Sequence, residues 1–356
     1  MDQVAGLARR EPVLALYEDV HWADPTTLEA LDLVIDRVRT LRALVVVTFR
    51  PEFAPRWTGD AHVNLLTLSR LGRRQGAAMV EQVTGGKALP PEVLEQIVEH
   101  TDGVPLFVEE LTKAVLELGL LEEGAGGYTL DGPLPPLAIP ATLRDSLMAR
   151  LDRRAPVREV AQVGAVIGRE FSHELLAAVA GLPEAELDHA TEQLVTTGLV
   201  FRRGGPAQAV YLFKHALVQD AAYGSLLISR RQQLHARIAQ VLEERFPETA
   251  ETEPELLAHH FGQAGLAEEA VDYHERAGRR ALARSALAEA LAQFGAALAR
   301  LQDLPRAEGR LRRELALRLA LGSGHVAAHG FAAPATGEAY RRAAELCEAQ
   351  GDARAR

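Results

Sequence analysis

Two short apolar runs near the N-terminus constrain the fold more than any other feature of this chain. The first occupies residues 13–18 and ends in two adjacent acids, Glu18 and Asp19. The second begins at residue 43 and carries Thr48 and Arg50 at its end. Runs that are apolar throughout predict parallel strands buried on both faces. Apolar residues recur at helical spacing between the two runs, which predicts a strand–helix–strand unit with a right-handed crossover. Both strands should therefore end at one sheet edge.

The polar residues at this edge have the chemistry of a phosphate site. Neighbouring side chains on a strand point to opposite sides, so one acid can hold Mg²⁺ while the other polarises a water molecule. Thr48 is placed to sense a γ-phosphate, and Arg50 to pair with phosphate oxygens. This is the Walker B arrangement of P-loop ATPases. Asp24 is then expected to cap the following helix, with Pro25 at its first position.

Composition narrows the possible partners and the compartment. The net charge of −10 argues against general affinity for nucleic acid or for an anionic membrane. The single cysteine, Cys347, excludes an internal disulfide and is typical of a reducing compartment. A basic-then-apolar signal segment is absent, and no apolar run approaches the ~20 residues of a membrane span. We therefore expect a cytoplasmic protein without a membrane partner.

The middle of the chain predicts two helical modules. The first contains the helices expected at residues 71–84, 91–101 and 107–118. The Gly- and Pro-rich stretch 124–140 predicts a domain boundary. The second contains the helices expected at 141–152, 156–167, 172–180 and 184–197. Two short strands with a Gly-Gly-Pro turn between them follow, which is typical of a winged helix. Its supposed recognition helix, 184–197, has four acids and no Lys or Arg, so DNA binding is disfavoured.

The last third of the sequence is almost purely helical. Helices are expected at 229–245, 254–264, 266–282, 285–302, 307–321 and 335–350. Small residues at the expected crossings resemble tetratricopeptide-type repeats, which bind peptides or neighbouring domains on a concave face. His235 and the pair His259-His260 lack the spacing of a metal site, so a structural role is favoured.

Several motifs together resemble one family across nearly the whole chain. They are Glu-Asp-x-His-Trp-Ala-Asp from Glu18, Thr-Phe-Arg-Pro-Glu from Thr48, Thr-Asp-Gly-Val-Pro from Thr101, Ala-Ile-Pro-Ala-Thr-Leu from Ala138, and Phe-Lys-His-Ala-Leu-Val-Gln-Asp from Phe213. The sequence is similar to signal-transduction ATPases with numerous domains, of the AAA-like type fused to bacterial class III adenylate/guanylate cyclase domains or to LuxR-type regulators. The resemblance implies Mg²⁺-dependent binding and slow hydrolysis of ATP in an intact parent protein, with the ADP/ATP state moving the helical arm.

The resemblance also implies a role for each matching residue. Glu18 takes the Mg²⁺-linked place, although aspartate is usual there, Asp19 takes the water-polarising place, and Arg50 takes the sensor place. Gly103 and Pro105 belong to the Gly-x-Pro motif of a helical lid, near the base or ribose. His215 either contacts the β-phosphate of ADP or simply caps and packs at a helix start, and both interpretations stay open.

The phosphate loop of that family is missing. No Gly-x-x-x-x-Gly-Lys-Ser/Thr occurs in the sequence, and the nearest lookalike, residues 84–88, has Ala88 in place of the hydroxyl residue. We interpret 84–88 as an ordinary loop. The amides and lysine that cradle phosphate are therefore expected from an N-terminal segment outside this chain, and this chain alone should neither bind ATP tightly nor hydrolyse it.

The sequence therefore predicts a mainly α protein with a partial α/β P-loop remnant. The expected domains are 1–70 (half of the nucleotide core), 71–135 (helical lid), 136–228 (winged helix) and 229–356 (tetratricopeptide-like arm). The favoured function is that of a regulatory switch ATPase fragment, whose partners are the missing P-loop segment or full-length parent and a protein or peptide on the arm. Two alternatives remain, a non-catalytic interaction module and a winged-helix transcription regulator.

Overall fold

A computed structural model of the chain describes residues 2–119, 121–124, 126–130, 142–151, 155–205, 208–305 and 308–350. The chain is mainly helical, with small sheets. Its helices are α1 (Asp2–Arg10), α2 (Pro25–Val38), α3 (Arg73–Val83), α4 (Pro91–His100), α5 (Pro105–Glu117), α6 (Leu143–Leu151), α7 (Ala155–Ile167), α8 (His173–Ala180), α9 (Glu184–Thr196), α10 (Ala216–Gly224), α11 (Ile228–Arg245), α12 (Pro247–Thr252), α13 (Pro254–Ala264), α14 (Ala267–Ala283), α15 (Leu287–Leu301), α16 (Glu308–His329) and α17 (Pro334–Gln350). Its strands are β1 (Val13–Tyr17), β2 (Ala43–Val47), β3 (Leu121–Gly124), β4 (Gly127–Leu130), β5 (Glu170–Ser172), β6 (Val200–Arg203) and β7 (Val210–Phe213).

These elements form two compact units. One comprises residues 1–67 together with 248–356, and the other comprises residues 68–247. The finer division at 70, 135 and 228 remains a prediction. The expected boundary at 124–140 begins inside a β-hairpin, because β3 pairs with β4 in antiparallel register from Leu121↔Leu130 to Gly124↔Gly127. The rest of that stretch, and the start of the Ala-Ile-Pro-Ala-Thr-Leu motif, lie outside the described residues.

The N-terminal strands pair in parallel, as predicted, in register from Val13↔Ala43 to Tyr17↔Val47. Helix α2 crosses between them, and one face of the sheet packs on a cluster built from Leu31, Ile35 and Trp57. The opposite face is bare in the described part of the chain, where Leu14, Leu16 and Leu44 are each more than 60% exposed. The prediction of strands buried on both faces is therefore wrong for one face.

Residues 65–68 are mostly apolar but do not form a strand. The segment is irregular, and Leu66 and Leu68 are 84% and 94% exposed. Apolar side chains alone do not make a strand, because the backbone also needs a neighbour to pair with. Among the described strands, β1 and β2 pair only with each other.

The second unit has two cores. Helices α3, α4 and α5 enclose the first, where Val93, Ile97 and Leu111 are fully buried and the β3–β4 hairpin packs against them through Tyr128. Helices α7, α8 and α9 surround the second, which a three-stranded antiparallel sheet of order β5-β7-β6 completes. Strand β5 was not predicted from the sequence because it is only three residues long.

The C-terminal arm is a chain of helical repeats. Successive helices from α13 to α17 pack on one another. Small residues permit this close packing, since a Cβ on Gly278 would lie only 2.6 Å from the ring of the buried Phe294. Within the described part of the chain, none of the helices has both the length and the apolar character needed to cross a membrane.

Candidate functional site

The carboxyl ends of β1 and β2 meet at one edge, where Thr48 fixes the backbone that carries the acids. The amide of Thr48 donates to the carbonyl of Tyr17 at 2.9 Å, and the carbonyl of Thr48 accepts from the amide of Val20 at 3.0 Å. The Thr48 hydroxyl also accepts from the amide of Asp19 at 2.9 Å. These bonds hold Asp19 in a left-handed conformation with φ 53°. The edge is thus a turn that Thr48 stabilises through both its backbone and its side chain.

Arg50 lies at the same edge and stacks on an aromatic ring. Its guanidinium carbon is 5.4 Å from the ring centroid of Trp22, which is 70% exposed. This cation–π contact holds an arginine beside the turn without neutralising its charge. Glu18, Thr48 and Arg50 are all exposed residues. The edge therefore offers one carboxylate, a hydroxyl and a guanidinium to solvent, with the half-buried Asp19 beside them, a set that suits Mg²⁺ and phosphate oxygens.

Two neighbouring groups complete this edge. Both ring nitrogens of His21 are shielded from solvent and have no hydrogen-bond partner among the described residues. Asp24 accepts from the amide of Thr27 at 2.9 Å and so caps α2, as predicted. Burial raises the pKa of Asp24, but the hydrogen bonds from Thr27 outweigh it and hold that pKa below its usual value. His21 was not among the predicted site residues, although it lies inside the motif that begins at Glu18.

The lid motif is a tight turn between α4 and α5. Gly103 has φ +68°, and its carbonyl accepts from the amide of Leu71 at 2.7 Å. A Cβ at this position would lie 2.1 Å from the carbonyl oxygen of Leu71, so only glycine is accommodated. Pro105 is the first residue of α5, where its fixed φ suits a helix start. The turn thereby sets the direction of α5.

A network of charges joins α5 to the segment before α10. Glu109 of α5 accepts from Lys113 at 2.5 Å and from Lys214 at 2.6 Å. Burial raises the pKa of Glu109, but the two ammonium groups outweigh it and lower that pKa to about 2. His215 occupies the N-cap position of α10 without a capping hydrogen bond from its side chain, and its Nε2 is shielded without a hydrogen-bond partner in the described residues. Burial, with Lys214 beside it, lowers the pKa of His215. Contact with the β-phosphate of ADP and packing at a helix start both remain predictions for this histidine.

Replacing Glu109 with glutamine is expected to lower stability in a pH-dependent way. The pKa of Glu109 is below its ordinary 4.5 in the folded protein, so its stabilisation is present above pH 4.5 and is lost as pH falls towards 2. Its side chain is 23% exposed, so we expect a loss of about 1–2 kcal/mol at pH 7. Urea unfolding of the unmodified protein and of the variant at pH 7 and pH 3 measures the free energy of unfolding. The difference in this free energy between the two proteins should shrink at pH 3.

A double-mutant cycle of Glu109→Gln with Lys214→Met isolates the interaction energy of this ion pair. Glu99→Gln on α4 serves as a control at an exposed carboxylate. The coupling energy should be favourable at pH 7, while the control should change stability little. A loss from Glu109→Gln that is the same at both pH values would contradict the charge network.

Two further sequence motifs make ion pairs or hydrogen bonds within the protein. The lookalike at 84–88 is a turn after α3, as predicted, and Lys87 forms an ion pair with Glu123. The acidic helix α9 turns Glu192 towards Arg202, whose Nη1 donates to it at 2.7 Å. In the described part of the chain, no three His, Cys, Asp or Glu side chains gather as a metal site would require.

A second candidate site lies on the arm between α13, α14 and α15. This pocket, of about 540 Å³, is lined by His259, His274, Gln293 and Arg300 among other polar side chains. Nδ1 of His274 lies 2.7 Å from the amide oxygen of Gln293, which orients the ring. Burial lowers the pKa values of both histidines, with the charge of Arg300 adding to the effect. The lining also contains Glu255 and Asp303, and Asp303 lies 3.8 Å from Nη1 of Arg300. These side chains together can hydrogen-bond a peptide.

The predicted nucleotide residues are divided between the two units. Glu18, Asp19, Thr48 and Arg50 belong to the first unit, where the β1–β2 edge brings them together. Gly103, Pro105 and His215 belong to the second unit, where two of them form the lid turn and His215 immediately precedes α10. Their proposed roles towards a nucleotide remain predictions.

Comparison with known proteins relates the chain to another sequence and to a solved structure. No model of a known protein family matches the chain. An uncharacterized protein of Rhizobium meliloti (strain 1021) is 31% identical over 289 residues, which cover 80% of this chain. The chain spans only 27% of that relative's length. Among solved structures, a signal transduction ATPase with numerous domains and a tetratricopeptide repeat sensor from Pyrococcus horikoshii matches with a TM-score of 0.43 and 10% identity, over 96% of this chain and 63% of that one.

Proposed function

We propose that the chain is part of a regulatory switch ATPase and that the β1–β2 edge is half of its nucleotide site. The observation that carries this proposal is the parallel pairing of β1 with β2, which puts Glu18 and Asp19 at the same edge as Thr48 and Arg50. Ligands of open parallel sheets bind at that edge, outside the carboxyl ends of the strands. Two carboxylates, a hydroxyl and a guanidinium there match the charges of a metal-bound triphosphate.

Each residue of the edge has a distinct role in this proposal. Glu18 would hold Mg²⁺ directly or through water, and Asp19 would orient and polarise the attacking water. Thr48 holds the Asp19 backbone and contacts the γ-phosphate, while Arg50 pairs with phosphate oxygens. Mg²⁺, when bound, would neutralise charge on the phosphates. The remaining contribution of this chain is to keep the two acids in fixed, different orientations.

The other half of the site is proposed to come from a phosphate-loop segment elsewhere in a longer protein. The sequence contains no Gly-x-x-x-x-Gly-Lys-Ser/Thr, and without it the β- and γ-phosphates lack their amide cradle. The bare apolar face of β1 and β2, with Leu14, Leu16 and Leu44 exposed, supports this proposal. A link to a cyclase or to transcriptional output, and a cytoplasmic location, are finer parts of the same proposal.

We expect the chain alone to bind Mg-ATP weakly, because half of the phosphate contacts are missing. Titration calorimetry of Mg-ATP into the purified chain should give no saturable signal with a Kd below about 10 μM. ATP turnover, measured as phosphate release, should not exceed the rate without protein. Tight binding or turnover by the chain alone would overturn the half-site proposal.

A second candidate function, protein or peptide binding on the arm, has an observation of its own. The pocket around His259, His274 and Arg300 is concave and rich in hydrogen-bonding groups. Affinity capture with the whole chain and with Arg300→Gln tests it. A partner that the first protein retains and the second loses would support a non-catalytic interaction role. A DNA-binding role is disfavoured, because α9 carries Glu184, Glu186 and Asp188.

A further inference from the structure

The outer helices of the arm enclose a second, arginine-rich pocket. It measures about 410 Å³ and lies between the end of α15, the first half of α16, and α17. Leu298 and Leu301 form its apolar part, and Gln302 also lines it. The charged lining consists of Arg310, Glu314, Arg318 and Arg342. None of these residues belongs to the nucleotide site proposed above.

The spacing of these residues explains why they meet. Arg310, Glu314 and Arg318 recur every four positions on α16, so they form one row along the helix. Arg342 reaches the same row from α17, and its Nε lies 3.3 Å from the carboxylate of Glu314. Three guanidinium groups from two helices therefore face one cavity.

Positive charge exceeds negative charge at this lining, in a chain whose net charge is −10. Glu314 is the one carboxylate among the lining residues, and it lies near both Arg342 and Arg318. Arg342 also donates from Nη1 to Glu345 at 3.0 Å. Arg310 donates to the carbonyl of Leu304 at 2.7 Å, a bond that orients its guanidinium and leaves its charge in place.

One buried donor at the pocket lacks an acceptor. Nε of Arg318 is shielded from solvent and has no hydrogen-bond partner among the described residues. Its distance to the Glu314 carboxylate, 3.9 Å, is too long for a hydrogen bond. A buried N–H group without an acceptor is costly, so an incoming anion would gain a bond that the protein alone does not make.

We propose that this pocket binds a phosphomonoester group. A phosphate dianion carries the charge and the acceptor oxygens that three guanidinium groups can share, and arginine suits it through paired N–H donors. Leu298 and Leu301 lie beside the arginines and offer apolar contact to the organic part of the ligand. A phosphorylated small molecule and a phosphorylated peptide present this same group.

The first test uses inorganic phosphate and the whole chain at constant ionic strength. Titration calorimetry should show saturable binding, with a Kd on the order of 1 mM for this small anion. Arg318→Gln should weaken binding at least about tenfold, because it removes both charge and the free donor. Arg312→Gln is the matched control, since it removes the same charge from an exposed position of α16 outside the pocket. Equal weakening by both substitutions, or no saturable binding, would overturn the proposal.

A second variant separates anion binding from a merely structural charge cluster. Glu314→Gln removes the carboxylate that repels an anion, so phosphate affinity should rise by about threefold or more. If Glu314 only holds the helices together, the same variant should lose stability and gain no affinity. Circular dichroism of each variant establishes that the helices are retained. A folded Glu314→Gln protein with unchanged or weaker phosphate binding would count against the site.

The source of the group is distinguished by three further probes. O-phosphoserine represents a small phosphomonoester, and a phosphoserine peptide is compared with its unphosphorylated form. Phosphopeptide binding much tighter than that of O-phosphoserine identifies a peptide ligand, and equal binding identifies a small molecule. Equal affinity for the two peptide forms would contradict recognition of phosphate.

Discussion

Replacing Gly103 with alanine is expected to be among the most destabilising single changes in the lid. Two separate costs add at this position. Its φ of +68° disfavours any residue with a Cβ, by about 1–2 kcal/mol. The Cβ would also lie 2.1 Å from the carbonyl oxygen of Leu71, a backbone atom that cannot move away without breaking the hydrogen bond between Leu71 and Gly103. Overpacking of this kind costs about 1–3 kcal/mol, so we expect a total loss of about 2–5 kcal/mol.

Gly85→Ala is the matched control for this change. Gly85 has nearly the same φ, +69°, but a Cβ added there would meet nothing within 4 Å. It therefore carries the conformational cost without the clash, and about 1–2 kcal/mol should be lost. Urea unfolding followed by far-ultraviolet circular dichroism compares the two variants. Equal losses would contradict the close approach of Leu71 to Gly103.

Tryptophan fluorescence provides an internal reference for the same experiment. Both tryptophans of the chain, Trp22 and Trp57, belong to the first unit, whereas Gly103 belongs to the second.

We expect hydrogen exchange to accelerate in peptides from α3 to α5 in Gly103→Ala, because α5 depends on the turn for its direction. Unchanged exchange in these peptides would argue against that dependence.

Replacing Asp19 with asparagine is expected to abolish most ATP hydrolysis by the longer protein that we propose. Loss of a group that activates the attacking water typically lowers kcat by about 10²–10⁴-fold. Asparagine also tolerates a left-handed conformation, so φ 53° and the bond from its amide to Thr48 should persist. ATP affinity should therefore change little. Single-turnover hydrolysis and equilibrium binding, measured in parallel, separate these two effects.

Asp24→Asn is the control for Asp19→Asn. Asp24 lies five residues further along and caps α2, and asparagine is an equally good N-cap. The variant removes one negative charge from the same part of the chain and preserves the helix start. We expect hydrolysis within about threefold of the unmodified protein, since the cap does not touch the reacting atoms in the proposed site. A loss as large as that of Asp19→Asn would show a general charge effect at the edge.

Local patterns were sufficient to predict most of the helices and the parallel strand pair. The apolar runs that end at Glu18 and Arg50 are short, unbroken and separated by helical spacing, so their pairing follows from crossover geometry. Asp24-Pro25 correctly predicted the start of α2, because both residues act within one helical turn. The grouping of four of the predicted site residues at one edge therefore required no long-range information.

The misses arose where contacts between distant residues decide the structure. Helix α16 was predicted to end at residue 321 but continues to His329. Just beyond that predicted end, Gly322 and Gly324 allow Tyr340 and Leu291 to approach, since a Cβ would lie 2.8 Å and 3.0 Å from those side chains. The glycines thus serve packing between helices, and a single sequence does not distinguish that use from a helix stop.

The hairpin β3–β4 was missed for a related reason. Its first strand contains Glu122 and Glu123 and resembles a polar loop, but the pairing of Leu121 with Leu130 places both on the core of α3–α5. His21 was overlooked because its shielding depends on the turn that Thr48 stabilises. The arginine pocket was also missed, since Arg342 lies 24 or more positions beyond its partners on α16 and only the packing of α17 brings it near.

The most direct test of the central claim is a paired titration of Mg-ATP. It compares this chain with a longer protein in which the proposed phosphate-loop segment precedes Met1. If the β1–β2 edge is half of a nucleotide site, the longer protein should bind with a Kd of micromolar order or tighter, and the chain alone should not. Tight binding by the chain alone, or none by the longer protein, would contradict the assignment of Glu18, Asp19 and Arg50 to a nucleotide site.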